Sequence, residues 1–284
     1  MKTFSTIPGR ESVRTVACAY CGSRDHTELY KTEQYRFVTC HKCGLVFQNP
    51  QPIADDLLNR YSFEYFSYER ENEHTFFQLM LRGLEDIGFY QYEPELIGRG
   101  RFLDIGCATG KLLECVKERG WREQGVEVCE PAVRYGIEKR GLRIRTGSLE
   151  QNRFETDFFS VVHCSHLIEH LPDPAGFFTE INRILIPGGL LIVATPNIDG
   201  FQSKLFKEKW RSAIADHVFL YSKKTLRNFL RKYHFSIESL KTWGGLEKGA
   251  GPPWIKQLLD RAAKRFGFGD VMIAAALNPA TKRE

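Results

Sequence analysis

The run Phe102-Leu103-Asp104-Ile105-Gly106-Cys107-Ala108-Thr109-Gly110 constrains the fold of this 284-residue chain more than any other stretch. An apolar strand ends in an acid, passes into a glycine-rich turn and opens a helix at Lys111-Leu112-Leu113. Glycine admits backbone angles and close approaches that a side chain forbids. Such a turn lets a nucleotide-like ligand lie against the main chain at the carboxyl end of a parallel strand. It reads G-x-A-x-G, not the G-x-G-x-x-G of dinucleotide folds. Seventeen residues after Gly110 comes Glu127, at the end of a second apolar strand, Gly125-Val126-Glu127-Val128. A carboxylate there can accept from both hydroxyls of a ribose. Turns of this kind also carry glycines for packing alone, so the turn by itself leaves both readings open.

The eight cysteines fall into two groups. Cys18-Ala19-Tyr20-Cys21-Gly22 and Cys40-His41-Lys42-Cys43-Gly44 make C-x2-C-x18-C-x2-C, the spacing of a four-thiolate zinc site. Each knuckle points two thiolates at one metal, and the glycine behind it takes the backbone angle the turn needs. Two knuckles complete a closed structural tetrahedron of Cys18, Cys21, Cys40 and Cys43, with no open position for substrate. Short strands are expected at 28–30 and 36–39. A unit of about thirty residues is too small for a sufficient core, so the metal must stabilise it, by roughly 10–16 kcal/mol in sites of this kind. A redox or disulfide pair is the competing reading, although one C-x-x-C would serve that purpose. His41 reads as exposed rather than as a ligand. Cys107, Cys115, Cys129 and Cys164 are scattered singly, as small buried hydrophobes in a reducing compartment are. The opening Met1-Lys2-Thr3-Phe4-Ser5 lacks the apolar core of a secretory signal, and no apolar run reaches about 18 residues. A cytoplasmic protein without a membrane span is expected. The net charge of +5 is interspersed with acids and makes no demand for nucleic acid.

Asn49-Pro50-Gln51-Pro52 closes the cysteine-bearing ribbon. Residues 53–60 and 75–89 then show apolar positions at helical spacing, with Phe76, Phe77, Leu79, Met80, Leu84 and Ile87 in the second. Between them lies the aromatic stretch Tyr61-Ser62-Phe63-Glu64-Tyr65-Phe66-Ser67-Tyr68. It either packs the ribbon onto the main domain or forms a lid, with Tyr61 or Tyr65 lining the pocket. The expected division is a zinc ribbon over 1–52, a helical linker or lid over 53–95, and an α/β domain over 96–284.

In that last region strands and helices alternate, which argues for a parallel sheet covered on both faces. Strands are expected at 102–105, 125–128, 142–145, 158–164, 190–194, 234–240 and 271–277, and helices at 111–119, 131–140, 175–185 and 223–231. Gly147-Ser148-Leu149-Glu150 follows the third strand, His163-Cys164-Ser165-His166-Leu167-Ile168-Glu169-His170-Leu171-Pro172-Asp173-Pro174 the fourth, and Pro187-Gly188-Gly189 precedes the fifth. These motifs resemble the class I S-adenosylmethionine-dependent methyltransferases from about residue 101 to the C-terminus. With the ribbon and its Cys-Gly-Leu-Val-Phe-Gln-Asn-Pro tail, the chain is similar to a methyltransferase-23-like subfamily whose members often modify sugars, secondary metabolites or cell-surface glycans. The resemblance implies a Rossmann-like, seven-stranded α/β sheet with an antiparallel last strand. It implies a cofactor pocket formed by Asp104, Gly106, Cys107, Ala108, Gly110, Glu127, Val128, Ser148, Leu149 and Cys164. The family usually has Gly-Asp where this chain has Gly147-Ser148. Ser148 is a weaker acceptor for an adenine amino group, so either the backbone of Leu149 serves instead or Ser148 is a turn cap.

Methyl transfer is an in-line displacement in which positioning supplies roughly 7–11 kcal/mol. A hydroxyl acceptor must also lose its proton, which calls for a base of suitable pKa, and histidine titrates nearest neutrality. Of His163, His166, His170 and His217, the last and His166 are the favoured catalytic candidates. His166 follows the fourth strand, and His217 lies in the connection that covers the acceptor side in similar enzymes. The expected activity is methylation of a small molecule, sugar or secondary metabolite at oxygen. An RNA base methyltransferase is the alternative, motivated by Lys204, Lys207, Lys209, Arg211, Lys223, Lys224, Arg227, Arg231 and Lys232, which equally read as solvated helix faces. A third reading is a cofactor-binding module without turnover. Residues 254–266 read as an amphipathic helix inserted before the last strand, for an acceptor lid or self-association.

Overall fold

The computed structural model describes residues 12–58, 60–61, 63–98, 100–244 and 253–279. The opening residues 1–5, read above for a secretory signal, Ser62, and the glycine-rich start of the 244–269 segment at 245–252 lie outside the described residues. The ribbon opens with β1 (Val13–Arg14), β2 (His26–Lys31), β3 (Arg36–Cys40), β4 (Val46–Gln48) and β5 (Gln51–Pro52). Helices α1 (Ala54–Leu58), α2 (Phe63–Asp86) and α3 (Phe89–Ile97) follow. Then come β6 (Arg101–Ile105), α4 (Lys111–Glu118), β7 (Arg122–Glu127), α5 (Glu130–Arg140), β8 (Ile144–Thr146), β9 (Phe159–Ser165), α6 (Pro174–Ile184) and β10 (Leu185–Pro196). The chain closes with α7 (Phe201–Phe206), β11 (Phe219–Leu220), α8 (Lys223–Lys232), β12 (Ser236–Trp243), α9 (Pro253–Phe266) and β13 (Val271–Leu277).

The main sheet has seven strands in the order β12-β13-β10-β9-β6-β7-β8. The strands from β10 to β8 are parallel, and β13 runs antiparallel to both its neighbours. The expected Rossmann-like α/β sheet and its reversed last strand are therefore present. β9 and β13 are buried almost throughout because they are covered on both faces, and β13 is apolar along its whole length. Leu103, Ile105, Val162, Cys164, Leu191 and Val193 join one core with α6 and α8, whereas Phe102, Val161, Leu190 and Ile192 join the other with α2 to α5. The chain runs outward from β6 through β7 to β8, then crosses back to β9 on the other side of β6, and this change of direction opens a crevice at the strand ends between β6 and β9.

Two parts differ from the expectation. The helix expected over 75–89 begins earlier: Phe63 to Tyr68 of the aromatic stretch already belong to α2, which runs from Phe63 to Asp86. Its helical period was hidden because the repeating face, Tyr65, Glu69 and Glu73, is mixed aromatic and acidic rather than apolar. The ribbon is also not a free-standing unit. β11 pairs antiparallel with β4, giving a four-stranded sheet β11-β4-β3-β2 whose edge strand comes from the main domain. Cys18, Val38, Cys40, Leu45 and Phe47 share one apolar core with Leu226, Phe229 and the sheet. Tyr20 packs on Phe229 with ring centroids 5.1 Å apart, and Lys232 Nζ donates to the Tyr20 carbonyl at 2.7 Å.

Candidate functional site

One side of the crevice is built where β6 and β7 end. Gly106 (φ +70°), Ala108 (φ +47°) and Gly110 (φ +78°) carry the chain through left-handed backbone into α4. The Gly106 N–H donates to the Val126 carbonyl at 2.8 Å, stitching the turn to β7. A Cβ on Gly110 would lie 2.5 Å from Leu142 Cδ1, so both φ and packing demand glycine there. The chemistry of the turn comes from Glu127. Its buried carboxylate accepts from the Ala108 N–H through Oε2 and from the Cys129 N–H through Oε1, each at 2.9 Å. Each oxygen keeps a second lone pair. Burial raises this carboxyl above its usual range despite the backbone bonds.

Helix α2 passes over the turn. Glu73 Oε1 accepts from Thr109 Oγ1 at 2.5 Å, and Arg140 Nη2 donates to both Glu73 oxygens at 2.8 Å. Arg140 Nη1 donates to the Thr109 carbonyl at 2.6 Å, so one arginine ties α2, α5 and the turn together. A turn N-terminal to Glu73, Glu69 is raised to about 7 by burial first and then by the charges of Glu127 and Glu73. Burial also raises the phenols of Tyr61 and Tyr65, and Tyr61 feels Glu127, Asp216 and Glu169 besides. Buried acids pushed upward by one another mark a region of negative potential. That donor set fits S-adenosylmethionine, whose sulfonium and ammonium charges and ribose hydroxyls complement carboxylates.

The other expected cofactor residues divide. Val128 is half-buried beside Glu127. Asp104 Oδ1 lies 2.7 Å from His163 Nδ1 on the neighbouring strand, with both side chains buried, so this acid is paired within the sheet. Cys107 and Cys164 are buried, and burial pushes both thiols up. Cys107 packs over Gly125, where a Cβ would come within 2.7 Å of its Sγ. Ser148 exchanges bonds with Gln151, its Oγ accepting at 3.3 Å and its N–H donating at 2.8 Å. It is a turn cap, and Leu149 beside it is buried.

The opposite side of the crevice gathers histidines. Glu169, 1% exposed, receives the Thr195 hydroxyl on Oε2 at 2.9 Å and has His166 Nδ1 at 3.3 Å from Oε1. Burial opposes its ionisation, but His166, His170 and His217 together hold it at about 2. His166 has its side chain half exposed. His217 is 7% exposed, its Nδ1 2.8 Å from the Ser212 carbonyl and its ring edge-on to His170 with centroids 4.6 Å apart. Burial, then the neighbouring His170, lowers His217 to about 3, so its ring stays neutral and offers a lone pair rather than strong basicity. The segment carrying His217 is held by residues that no motif singles out. Gln48 Nε2 donates to the carbonyls of Ala215 at 2.8 Å and His217 at 2.7 Å. The Tyr35 hydroxyl donates to the Ala213 carbonyl, and Arg60 Nη1 pairs with Asp216 Oδ1 at 2.6 Å. Of the basic residues that prompted the nucleic-acid alternative, Arg211 pairs with buried Asp270 at 2.6 Å.

In the ribbon, the four cysteine sulfurs lie within 4.8 Å of one another. Cys18 Sγ is 3.4 Å from Cys43 Sγ, and Cys21 Sγ 3.5 Å from Cys40 Sγ, so the close pairs run between knuckles rather than within them. A tetrahedron of Zn–S bonds near 2.3 Å requires sulfurs about 3.8 Å apart. The cluster fits a zinc ion.

Residues 55–240 match a family described as a methyltransferase domain. The ubiquinone biosynthesis O-methyltransferase of Aeromonas salmonicida is 34% identical over 106 residues, which cover 34% of this chain and 43% of that protein. Its counterpart from Caulobacter sp. is 32% identical over 135 residues, covering 44% and 54%. The chain thus spans about half the length of these relatives. An S-adenosylmethionine-dependent methyltransferase from Archaeoglobus fulgidus superposes with a TM-score of 0.50 at 19% identity, over 72% of this chain and 99% of that one. A chain of the complex between the Haloferax volcanii Trm112 methyltransferase activator and a methyltransferase gives 0.51 at 18% identity, over 70% and 93%. These likenesses are of fold. Among the described residues, no helix is long and apolar enough to cross a membrane.

Proposed function

The chain belongs to the methyltransferase-domain family, and from that premise we propose that it transfers the methyl group of S-adenosylmethionine to an oxygen of a small molecule, sugar or secondary metabolite. The observation that carries the reading is the buried Glu127 carboxylate, anchored by the Ala108 and Cys129 N–H groups at the end of β7, with Glu69 raised beside it. Glu127 and the turn from Gly106 to Gly110 would hold the donor, and Tyr61, Tyr65 and Glu69 would close over it from α2. When bound, the donor supplies an electrophilic methyl on a positive sulfonium. The chain's own work is to exclude water with α2, to place negative potential around the positive charge, and to orient the acceptor opposite. His166 and His217 line that acceptor side. The identity of the relatives at oxygen-methylating enzymes supports an oxygen acceptor.

The ribbon is assigned one structural zinc on Cys18, Cys21, Cys40 and Cys43. As functional divisions, 1–52 supports the acceptor segment, 53–95 lids the donor and 96–284 carries the pocket, with β11 of the last completing the sheet of the first. Calorimetry with S-adenosylmethionine and its demethylated product, followed by transfer of labelled methyl to a panel of phenols, sugars and RNA, tests the reading. Donor binding with transfer to a hydroxyl supports it. No heat with either ligand overturns it, and salt-sensitive RNA methylation replaces the acceptor class.

A further inference from the structure

Beyond the donor pocket and the cysteine cluster, one group of side chains is arranged for a ligand that none of its own members can supply. Glu169, His170 and His217 each offer one ligating atom, and these atoms lie within 4.8 Å of one another. They meet just outside the carboxyl ends of β9 and β10, where Thr195 anchors Glu169.

The hydrogen bonds decide what each group has left to offer. His170 Nδ1 is 3.0 Å from the Asp216 carbonyl, and His217 Nδ1 is 2.8 Å from the Ser212 carbonyl. A carbonyl only accepts, so both rings carry their proton on Nδ1 and leave a lone pair on Nε2. Glu169 Oε2 takes the Thr195 hydroxyl, while Oε1 is sealed from solvent and faces His166 Nδ1 at 3.3 Å without a well-aligned hydrogen bond. Two imidazole lone pairs and a buried carboxylate oxygen are all acceptors. Acceptors gathered this closely, one of them a sealed carboxylate oxygen without a well-aligned partner, are what a cation between them would satisfy. Backbone carbonyls orienting Nδ1 and a hydroxyl orienting the carboxylate are the supports that metal-ligating side chains need.

We propose that Glu169, His170 and His217 form a divalent-cation site that binds a first-row transition ion and, through its open positions, the oxygen of the methyl acceptor. Two imidazoles and one carboxylate suit Mn²⁺, Fe²⁺, Co²⁺ or Zn²⁺ and leave coordination places for an incoming ligand. Bond lengths near 2.1 Å need ligand atoms about 3.0–3.4 Å apart, so the three side chains close inward slightly on the ion. His166, half exposed at 3.3 Å from Glu169, stands at the rim and leaves the open face toward the crevice. The role in transfer rests on the methylation of oxygen proposed above, whereas the site itself does not. In that role the acceptor O–H bond breaks and its proton passes to solvent. The oxygen lone pair forms the O–CH3 bond as the S–CH3 bond breaks, and that electron pair stays on sulfur, turning the sulfonium into a neutral thioether.

The test is Mn²⁺ binding to the full chain with zinc in its cysteine cluster and no methyl donor present, read by loss of the free-ion electron paramagnetic resonance signal. Mn²⁺ prefers oxygen and nitrogen and leaves thiolates to zinc. One ion per chain is expected, bound at least about tenfold more weakly in both His170→Ala and the near-isosteric Glu169→Gln. Circular dichroism and zinc content serve as checks on folding. Failure of folded wild-type protein to bind Mn²⁺ up to roughly 1 mM, or equal binding by both variants, overturns the site. Donor calorimetry is a separate readout, so failure of donor binding removes the transferase reading without touching the cation site.

Discussion

The two sides of the crevice are built in opposite ways. The side proposed for the donor is local: the Gly106–Gly110 turn, Glu127 and Cys129 lie on two adjacent parallel strands and their loops, and Ala108 and Glu127 are only 19 residues apart. The acceptor side is assembled from distant pieces. Glu169 comes from the loop after β9, Thr195 from the end of β10, and His217 from the connection before β11, and the carbonyl of His217 is held by Gln48, 169 residues earlier. A turn that grips a constant ligand can be encoded in one stretch, while a surface that selects an acceptor is fastened by tertiary contacts. On this view the ribbon is a wall of the proposed acceptor site, and the zinc proposed for it would act at a distance on the segment Ser212–Tyr221 through β4 and β11, by the pairing of Phe47 with Phe219 and Val46 with Leu220.

The largest effect expected from that contrast follows loss of the zinc. Chelation or Cys40→Ser should release β3 and β4 and with them the Gln48 and Tyr35 bonds to residues 213–217. Turnover is expected to fall by at least about 100-fold, because the metal supplies roughly 10–16 kcal/mol to such units. Donor affinity in the protein that remains folded should change far less. Equal loss of both would show that the two sides are one cooperative unit. Next in size is Glu127→Ala, which removes the anchored carboxylate. Donor binding should weaken by about 100-fold, the cost of roughly two charge-assisted hydrogen bonds, with zinc content unchanged. Unchanged donor affinity would move the donor away from β7. Smaller still is Gln48→Leu, which keeps volume but leaves the Ala215 and His217 carbonyls without their donor. A lost buried bond costs about 1–3 kcal/mol, so kcat should drop roughly tenfold while the donor Kd holds. A fall in donor affinity instead of kcat would dissolve the division between the two sides.

The same contrast explains what could be read from the sequence. The strands of the main sheet, the turn, the place of Glu127 at a strand end and the cysteine spacing are local patterns, and each of the seven expected strands exists, with bounds shifted by a few residues at β7, β8, β10 and β12. Asp104 looked like a pocket residue because it ends a strand beside the turn. Its partner is His163, opposite it in the register between β6 and β9, and no local pattern connects residues 59 apart. β11 has two residues and exists only because β4 is beside it. Helix α2 was missed at its start because its pocket face is Tyr65, Glu69 and Glu73. The four-residue spacing was there to be found, but an acidic stripe reads as solvent-facing unless the turn beneath it is known. His217 was picked out as a histidine, while its burial, which removes it as a strong base, depends on packing against His170 and the ribbon-held loop.

The smallest effect sharpens the donor side alone. Glu69 is faced by Glu127 on β7, by Glu73 on its own helix, and by Tyr65, Tyr68 and Cys129, whose ionisation it opposes in turn. Burial and the two carboxylates raise it from 4.5 to about 7. Between those values the folded protein holds a proton that the unfolded chain has released, so without donor stability falls as pH rises through that window and is level above it. A positive donor favours the carboxylate, so its affinity should rise with pH up to about 7, by at most about tenfold per unit, and then level off. Glu69→Gln should flatten both profiles and stabilise the donor-free protein at neutral pH. A donor Kd that stays constant across this range in the wild type would mean that Glu69 does not feel the donor's charge, and the lid over the turn would then act by excluding water alone.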